Sequence, residues 1–138
     1  MSILVAARVV NLCDTYRKRR EPAFEVRSVE VDSAIVDPSL DKLWLPPSLV
    51  EELGLVDVPT VPLERTRWIP SENGSIVHLY VGTGFCTFAA FQSSDAYTVV
   101  IGSIALLALG LEVDETTGSV YEVPGDCFAI GRQTDLSI

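Results

Sequence analysis

Asp37 is the residue in this sequence best placed for acid–base chemistry. It follows the apolar residues 34–36, which have the composition of a buried strand, and it precedes Pro38 and Ser39, which favour a turn. A carboxylate in a loop just after a buried strand suits general acid or base catalysis. The alternative is a structural role, because an Asp side chain readily accepts a hydrogen bond from the backbone two residues on.

The residues after Asp37 define the loop around the candidate acid. Pro38 has neither a hydroxyl nor a backbone N–H, and Ser39 brings a hydroxyl one position later. Leu40 follows, and Asp41 adds a second negative charge close to the first. We therefore take Pro38, Ser39, Leu40 and Asp41 as the loop residues of the site.

The elements that must position this loop are mostly strands. Alternating or β-branched apolar residues predict strands near residues 4–12, 24–35, 76–81, 85–91, 97–101, 111–113 and 119–121. Short helices are predicted after Pro46, ending at Gly54, and over residues 104–109, ending at Gly110. The chain is therefore expected to be a mostly-β, barrel-like domain with one or two short helices.

Turn residues between these strands suggest how they pair. Residues 4–12 and 24–35 are expected to form a hairpin with the basic run 17–20 at its solvated tip, although the run is also a candidate anion-binding patch. Asn73 and Gly74 predict a second hairpin, and residues 85–91 are expected to pair with residues 97–101. Residues 1–124 form one domain, and residues 125–138 form a C-terminal tail.

Composition excludes several classes of partner and cofactor. Nineteen acidic and ten basic side chains give a net charge of −9, which repels nucleic acid and anionic membranes. No group of residues has the spacing of a metal site or a cofactor-binding loop, and His78, the single histidine, lies in a strand pattern without a nucleophile nearby. We expect neither metal nor cofactor.

The cysteines and the N-terminal sequence indicate the cellular compartment of the protein. Cys13, Cys86 and Cys127 are odd in number and widely spaced, which fits small core residues in a reducing environment better than a disulfide framework. The N-terminal apolar run lacks a preceding positive region and is interrupted by Arg8. The protein is expected to be cytoplasmic.

Several of these segments together resemble the retropepsin-like aspartic proteases, in particular the bacterial single-domain members of that clan. Leu45 and Pro46 follow Asp37 by eight and nine residues, as a Leu-Pro pair follows the family's catalytic aspartate. The resemblance runs from about residue 9 to residue 123 and includes Asn11, Leu53-Gly54-Leu55, Val100-Ile101-Gly102, Leu106-Leu107, Gly110-Leu111-Glu112-Val113-Asp114 and Gly118.

The resemblance implies a homodimeric aspartic endopeptidase. Asp37 from each subunit would form the catalytic dyad on a two-fold axis, with Ile101 and Gly102 in the second loop of the site. The hairpin around residues 71–74 would be the flap that covers peptide substrate, with contacts from Trp68, Ile69, Ser71, Asn73 and Gly74. Residues 125–138 would be a candidate strand of the dimer interface.

The chain departs from the family motif directly after the aspartate. Pro38 and Ser39 stand where the family has a hydroxyl residue and a glycine. An alternative is therefore a catalytically inactive dimer that binds peptide or a partner protein in the same cleft. A third hypothesis is an unrelated small β-barrel that matches the motif by coincidence.

Overall fold

The computed structural model describes residues 3–60, 63 and 75–123 of the 138-residue chain. Its strands are β1 (Ile3–Asn11), β2 (Ser28–Val36), β3 (Leu43–Leu45), β4 (Ser75–Val81), β5 (Gly84–Gln92), β6 (Val100–Ile101), β7 (Leu111–Asp114) and β8 (Ser119–Glu122). Three helices lie in this part of the chain: α1 (Leu12–Arg20), α2 (Pro47–Glu52) and α3 (Ser103–Leu109). The mostly-β fold class predicted from the sequence is confirmed, with one helix more than expected.

Six strands close into a barrel in the order β1-β2-β6-β3-β5-β4. β1 pairs antiparallel with β2 and β4, and β4 pairs antiparallel with β5. The short strand β6 lies parallel to β2 and antiparallel to β3, and β3 lies parallel to β5. β7 and β8 form a separate two-stranded antiparallel sheet. The parallel β2–β6 pair matters most for the site, because both candidate loops leave the barrel there.

The interior of the barrel is apolar, as the alternation of the strands predicts. Inward residues of β1 and β4 such as Val5, Val9, Val77 and Leu79 are fully buried. A smaller cluster packs Trp44 against Phe91, Ala96 and Val100, with Leu40 of the Asp37 loop covering it. Leu40 therefore joins the apolar core to the loop that carries Asp37.

Helix α1 corrects the predicted hairpin. β1 and β2 do pair, but the basic run 17–20 belongs to a nine-residue helix and not to a hairpin tip. The Asn11 side chain accepts a hydrogen bond from the Asp14 N–H at 3.1 Å and starts the helix. This cap, with Asp14 in the first turn and cations in the last, is a helix signal that the strand-like residues before it had masked.

The predicted pairing of residues 85–91 with 97–101 is also wrong. Within the described residues, β5 pairs with β4 through the turn at Gly82-Thr83 and with β3, whereas β6 pairs with β2 and β3. A turn between two consecutive apolar segments therefore did not identify the partner strand. The β7–β8 hairpin and the helices before Gly54 and Gly110 are confirmed.

The cysteines differ in environment. Cys86 is buried, and burial raises the pKa of its thiol to about 11, which keeps it protonated as expected of a core residue. Cys13 is exposed on α1, so the prediction of a core position is wrong for this residue. No helix in the described ranges is long and apolar enough to cross a membrane.

An ion pair holds the first turn of α1 to Arg27, the residue just before β2. The buried Asp14 carboxylate accepts two hydrogen bonds from the Arg27 guanidinium, at 2.8 and 2.9 Å, and one from the Arg27 backbone N–H at 3.0 Å. The side-chain hydrogen bonds from Arg27 lower the pKa of Asp14. The ion pair therefore fixes the chain just before β2, the strand that leads to Asp37.

We predict that Asp14→Asn lowers the free energy of unfolding at pH 7, and that the difference from wild type disappears as the pH falls. A carboxyl whose pKa is lowered by folding stabilises the protein above its unfolded value of about 3.9, and this contribution is lost as the pH falls through the folded value. Urea unfolding between pH 7 and pH 3 measures it. The matched variant Asp32→Asn, which changes an exposed β2 residue, should show no such pH dependence, and a constant difference for Asp14→Asn would contradict the assignment.

Candidate active site around Asp37

Asp37 leaves the barrel at the junction of two parallel strands. β2 ends at Val36, which is level with Ile101 of β6, and the Asp37 N–H donates to the Ile101 carbonyl at 3.0 Å. Asp37 is partly exposed, whereas Ile101 is fully buried. The backbone of the acid is therefore fixed by the sheet while its side chain remains open to solvent.

The Asp37 carboxylate is held by Ser39. Its Oδ1 accepts hydrogen bonds from the Ser39 N–H at 3.0 Å and from the Ser39 Oγ at 2.5 Å. The Leu40 N–H donates to the Asp37 carbonyl at 3.1 Å and closes a tight turn. The described residues place no hydrogen bond on Oδ2. Asp37 therefore caps a turn through Oδ1, while Oδ2 accepts no hydrogen bond from the described residues.

The loop is locked to the first turn of α3 by backbone hydrogen bonds. The N–H groups of Gly102 and Ser103 donate to the carbonyls of Lys42 and Leu40 at 2.8 and 2.7 Å, and Ile104 donates to the Asp41 carbonyl at 3.3 Å. The first N–H groups of a helix have no intrahelical acceptor, so these carbonyls satisfy them. The two predicted loops therefore form one rigid unit.

Only glycine fits at position 102, because the contact leaves no space for a Cβ. A Cβ added to it would lie 2.5 Å from the Lys42 carbonyl oxygen and 2.6 Å from the Asp41 carbonyl carbon. Both are backbone atoms, which cannot move without breaking the hydrogen bonds between the loops. The sequence prediction placed Gly102 in the second loop, and the structure supplies the reason for a glycine.

Asp41 and Lys42 form a buried charged pair behind the loop. Lys42 is 1% exposed, and its Nζ lies 3.8 Å from the Asp41 Oδ1 and 5.7 Å from the centroid of the Phe91 ring. Within the described part of the chain, both Asp41 carboxylate oxygens are buried without a hydrogen-bond partner. Burying either charge alone is costly, and their pairing offsets part of that cost. Nothing in the sequence pattern predicted that Lys42 would be buried.

A groove of about 720 Å³ borders the loop at Pro38. One wall is α3, where Leu107 is 76% exposed, and the other is the β7–β8 hairpin, which contributes the carboxylates of Glu112, Asp114 and Glu115. Sequence reasoning missed this groove because its walls come from separate elements. The signal that could have found it is the sequence of α3, which is apolar throughout after Ser103 and therefore must leave an apolar side chain such as Leu107 exposed.

The remaining predicted site residues lie outside the described part of the chain. These are the flap residues Trp68, Ile69, Ser71, Asn73 and Gly74, and the C-terminal tail, residues 125–138. Among the described residues, no group of three or more His, Cys, Asp or Glu side chains is arranged to hold a metal ion. The structure brings together Asp37, the loop residues 38–41 and the pair Ile101-Gly102.

The fold is similar to that of a known protease-like domain. The crystal structure of the retroviral protease-like domain of Ddi1 from Leishmania major matches 100% of this chain and 93% of that chain, with a TM-score of 0.57 and 14% sequence identity. No family model matches the sequence, and no curated protein matches it either. At this identity the likeness concerns the fold, so the chain has a retropepsin-like fold, as the sequence resemblance implied.

We predict that Gly102→Ala destabilises the protein by ~3 kcal/mol or more, because the new methyl group overlaps backbone atoms of the Asp37 loop. Gly110→Ala is the matched control: Gly110 has a φ of 70°, but an added Cβ would meet only the Val123 carbonyl oxygen at 3.7 Å. It should cost about 1 kcal/mol. Denaturant unfolding compares the two. Equal losses would contradict the close approach at Gly102.

We predict that Ser39→Ala loosens the Asp37 side chain, which keeps only the hydrogen bond from the residue-39 N–H, without unfolding the protein. Ser39 is exposed, so the cost should not exceed about 1 kcal/mol, but the short hydrogen bond from Oγ to Oδ1 is lost. Three-bond NMR couplings at the Asp37 Cβ should change from values for one rotamer to averaged values. Ser33→Ala, at another exposed position, should leave them unchanged. A fixed Asp37 rotamer in Ser39→Ala would show that the Ser39 hydroxyl is not needed and that the backbone N–H of residue 39 holds the carboxylate by itself.

Proposed function

We propose that the protein is a homodimeric aspartic endopeptidase that cleaves extended peptides, with Asp37 from each subunit as its catalytic acid and base. The observation that carries the proposal is the Asp37 carboxylate. It lies in a loop locked to β6 and α3, with Oδ1 held by Ser39 and Oδ2 without a described hydrogen bond. Catalytic groups need this combination of a fixed backbone and an open reactive atom.

The chemistry requires two carboxylates that share one proton. The ionised Asp37 accepts a proton from a water molecule, whose oxygen attacks the carbonyl carbon of the scissile amide. The protonated Asp37 of the other subunit donates its proton to the carbonyl oxygen, which gives a tetrahedral diol. Transfer of a proton to the nitrogen then breaks the C–N bond and releases an amine and a carboxylic acid. One chain supplies one such acid, so the active form is a dimer.

The dimer would form on the side of the loop where Asp37 and Pro38 are exposed. A two-fold axis passing between two Asp37 loops brings identical surfaces together. The exposed Leu107, on the α3 wall of the groove at Pro38, lies on this side and offers an apolar contact to a second copy. Residues 125–138 are proposed to add a strand to the interface, and residues 71–74 to act as the flap over the substrate.

Ser39 is proposed to replace part of what the altered motif lacks. Pro38 cannot supply the hydroxyl found after the aspartate in the family, and it has no N–H. The Ser39 hydroxyl and N–H instead bind the aspartate of their own subunit. These two donors fix the orientation of the carboxylate, which a catalytic group requires.

The exposed free thiol of Cys13 supports the cytoplasm, a reducing compartment, as the proposed location.

A second candidate function is a catalytically inactive dimer that binds a peptide or a partner protein in the same cleft. Pro38 favours it, because a dimer without the hydroxyl at this position lacks one link between the two loops. The Ser39 hydrogen bonds favour it too, since they also fit an Asp37 that serves only as a turn cap. Binding without cleavage would identify this function.

The test is cleavage of a peptide library by wild type and by Asp37→Asn, from about pH 4 to pH 7, the range in which a carboxylate dyad works. We expect wild type to cleave and Asp37→Asn to lose activity by at least about a thousandfold, because no second base replaces the carboxylate. Asp32→Asn is the matched control for a lost charge and should keep full activity.

Cleavage and peptide binding together separate the two candidates, and sedimentation of the same samples tests the dimer that both require. Peptide binding by a folded dimer without cleavage would support the inactive binding module, whereas a strict monomer at micromolar concentration would contradict both. Restoring the family motif with Pro38→Thr and Ser39→Gly should raise a weak activity. If wild type and Asp37→Asn cleave equally, Asp37 is not the catalytic acid.

A further inference from the structure

A second exposed surface of the described chain combines aromatic rings with positive charge. It comprises Tyr16, Arg19 and Arg20 of α1 and His78, Tyr80 and Phe85 of the β4–β5 hairpin. We refer to these six residues as the cation–aromatic face. α1 contacts β1 and β4, and Arg19 in its last turn lies close enough to His78 of β4 for its charge to act on that ring.

The aromatic part of this face is a connected cluster. The Phe85 ring lies 5.1 Å from the His78 ring and 4.9 Å from the Tyr80 ring, measured between centroids. Phe85 is 49% exposed and Tyr16 is 51% exposed. Scattered single apolar side chains on a surface are normal, but a contiguous exposed group indicates a binding surface. Aromatic residues and arginine are also the types enriched where proteins meet.

Arg8 of β1 lies over the Tyr80 ring, 5.2 Å from its centroid, and the rest of the positive charge of the face comes from a run that holds four of the chain's ten basic residues. Two of them are used within the fold: Arg17 pairs with Glu21 at 3.1 Å, and the Lys18 Nζ donates to the carbonyls of Pro22 and Phe24. Arg19 and Arg20 are exposed and form no ion pair with any described residue. Arg19 lies over the Tyr16 ring, 5.2 Å from its centroid. Their charges are therefore available to a partner.

His78 joins the two parts of the face. Burial and the nearby charge of Arg19 lower the pKa of His78, so its ring is neutral at pH 7 and acts as a stacking surface. Its Nδ1 lies 3.0 Å from the Thr87 Oγ1, which fixes the ring orientation. Rings with fixed orientations bind with little loss of side-chain entropy.

We propose that the cation–aromatic face binds an acidic segment of a partner protein, one that carries an aromatic or large apolar side chain beside two or more carboxylates. The apolar side chain would pack on Phe85, His78 and Tyr80, and the carboxylates would pair with Arg19 and Arg20. Guanidinium groups bind carboxylates with two parallel hydrogen bonds. This recognition is independent of peptide cleavage at Asp37.

Charge complementarity selects a short acidic segment over other anions. A long polyanion would extend from the face onto a chain with nineteen acidic residues, whereas a short segment meets only the local cations. Glu21 and Glu25, in the segment that follows α1, are exposed and limit the positive surface to the end of the helix. Nucleic acid and anionic membranes are therefore expected to bind more weakly.

The test uses fluorescence anisotropy with labelled peptides and protein in the Asp37→Asn background, which prevents cleavage. The probes are a short peptide that alternates Glu and Phe, its Lys–Phe and Glu–Ser counterparts, a single-stranded oligonucleotide, and phosphatidylserine vesicles. We expect the Glu–Phe peptide to bind with the highest affinity, and we expect this affinity to fall as salt is added. Arg19→Gln with Arg20→Gln, and separately Phe85→Ser, should each weaken it by about tenfold or more.

The matched control is Ser94→Glu with Thr117→Glu, which changes the net charge by the same amount at two exposed positions away from the face. It should leave the affinity within about twofold of the Asp37→Asn parent. Equal binding of the Lys–Phe peptide, tighter binding of oligonucleotide or vesicles, or no binding at millimolar peptide would each overturn the proposal. Binding that survives both face variants would place the peptide elsewhere, such as the cleft at Asp37, and would also overturn it.

Discussion

The close approach of the Gly102 backbone to residues 40–42 is the contact on which the site depends. Because Gly102 has no Cβ, the first N–H groups of α3 reach the carbonyls of the Asp37 loop, and each segment satisfies the other's backbone. The parallel β2–β6 pair brings the two segments together from distant parts of the sequence. The loop that carries the acid is therefore rigid although it lies outside regular structure.

Pro38 and Ser39, which follow Asp37, determine how its carboxylate is held within this framework. Pro38 has no backbone N–H that would need a hydrogen-bond acceptor. Its fixed φ suits the turn that is closed by the hydrogen bond from the Leu40 N–H to the Asp37 carbonyl. Ser39 then turns its hydroxyl and N–H onto Oδ1. The chain thus holds its aspartate through residues of the same loop.

Sequence reasoning predicted the features that local patterns encode and missed those that depend on tertiary contacts. Asp37 after an apolar strand, Gly102 in a sharp turn and Gly110 at a helix end were all visible, because turn chemistry and periodicity are local signals. Helix α1 was missed although Asn11 and Asp14 form a capping signal, since the residues before them alternate like a strand. The partners of β5 and β6, the burial of Lys42 and the groove at Pro38 depend on contacts between distant segments, which single-sequence patterns do not contain.

The central claim is that one active site uses two copies of Asp37, and subunit mixing tests it most directly. Wild type is mixed with increasing fractions of Asp37→Asn at constant total protein, allowed to exchange subunits, and assayed for peptide cleavage. If each site needs both aspartates, activity falls as the square of the wild-type fraction. A linear decrease would show that each subunit acts alone, and a wild-type protein that cleaves no peptide would contradict the catalytic dyad altogether.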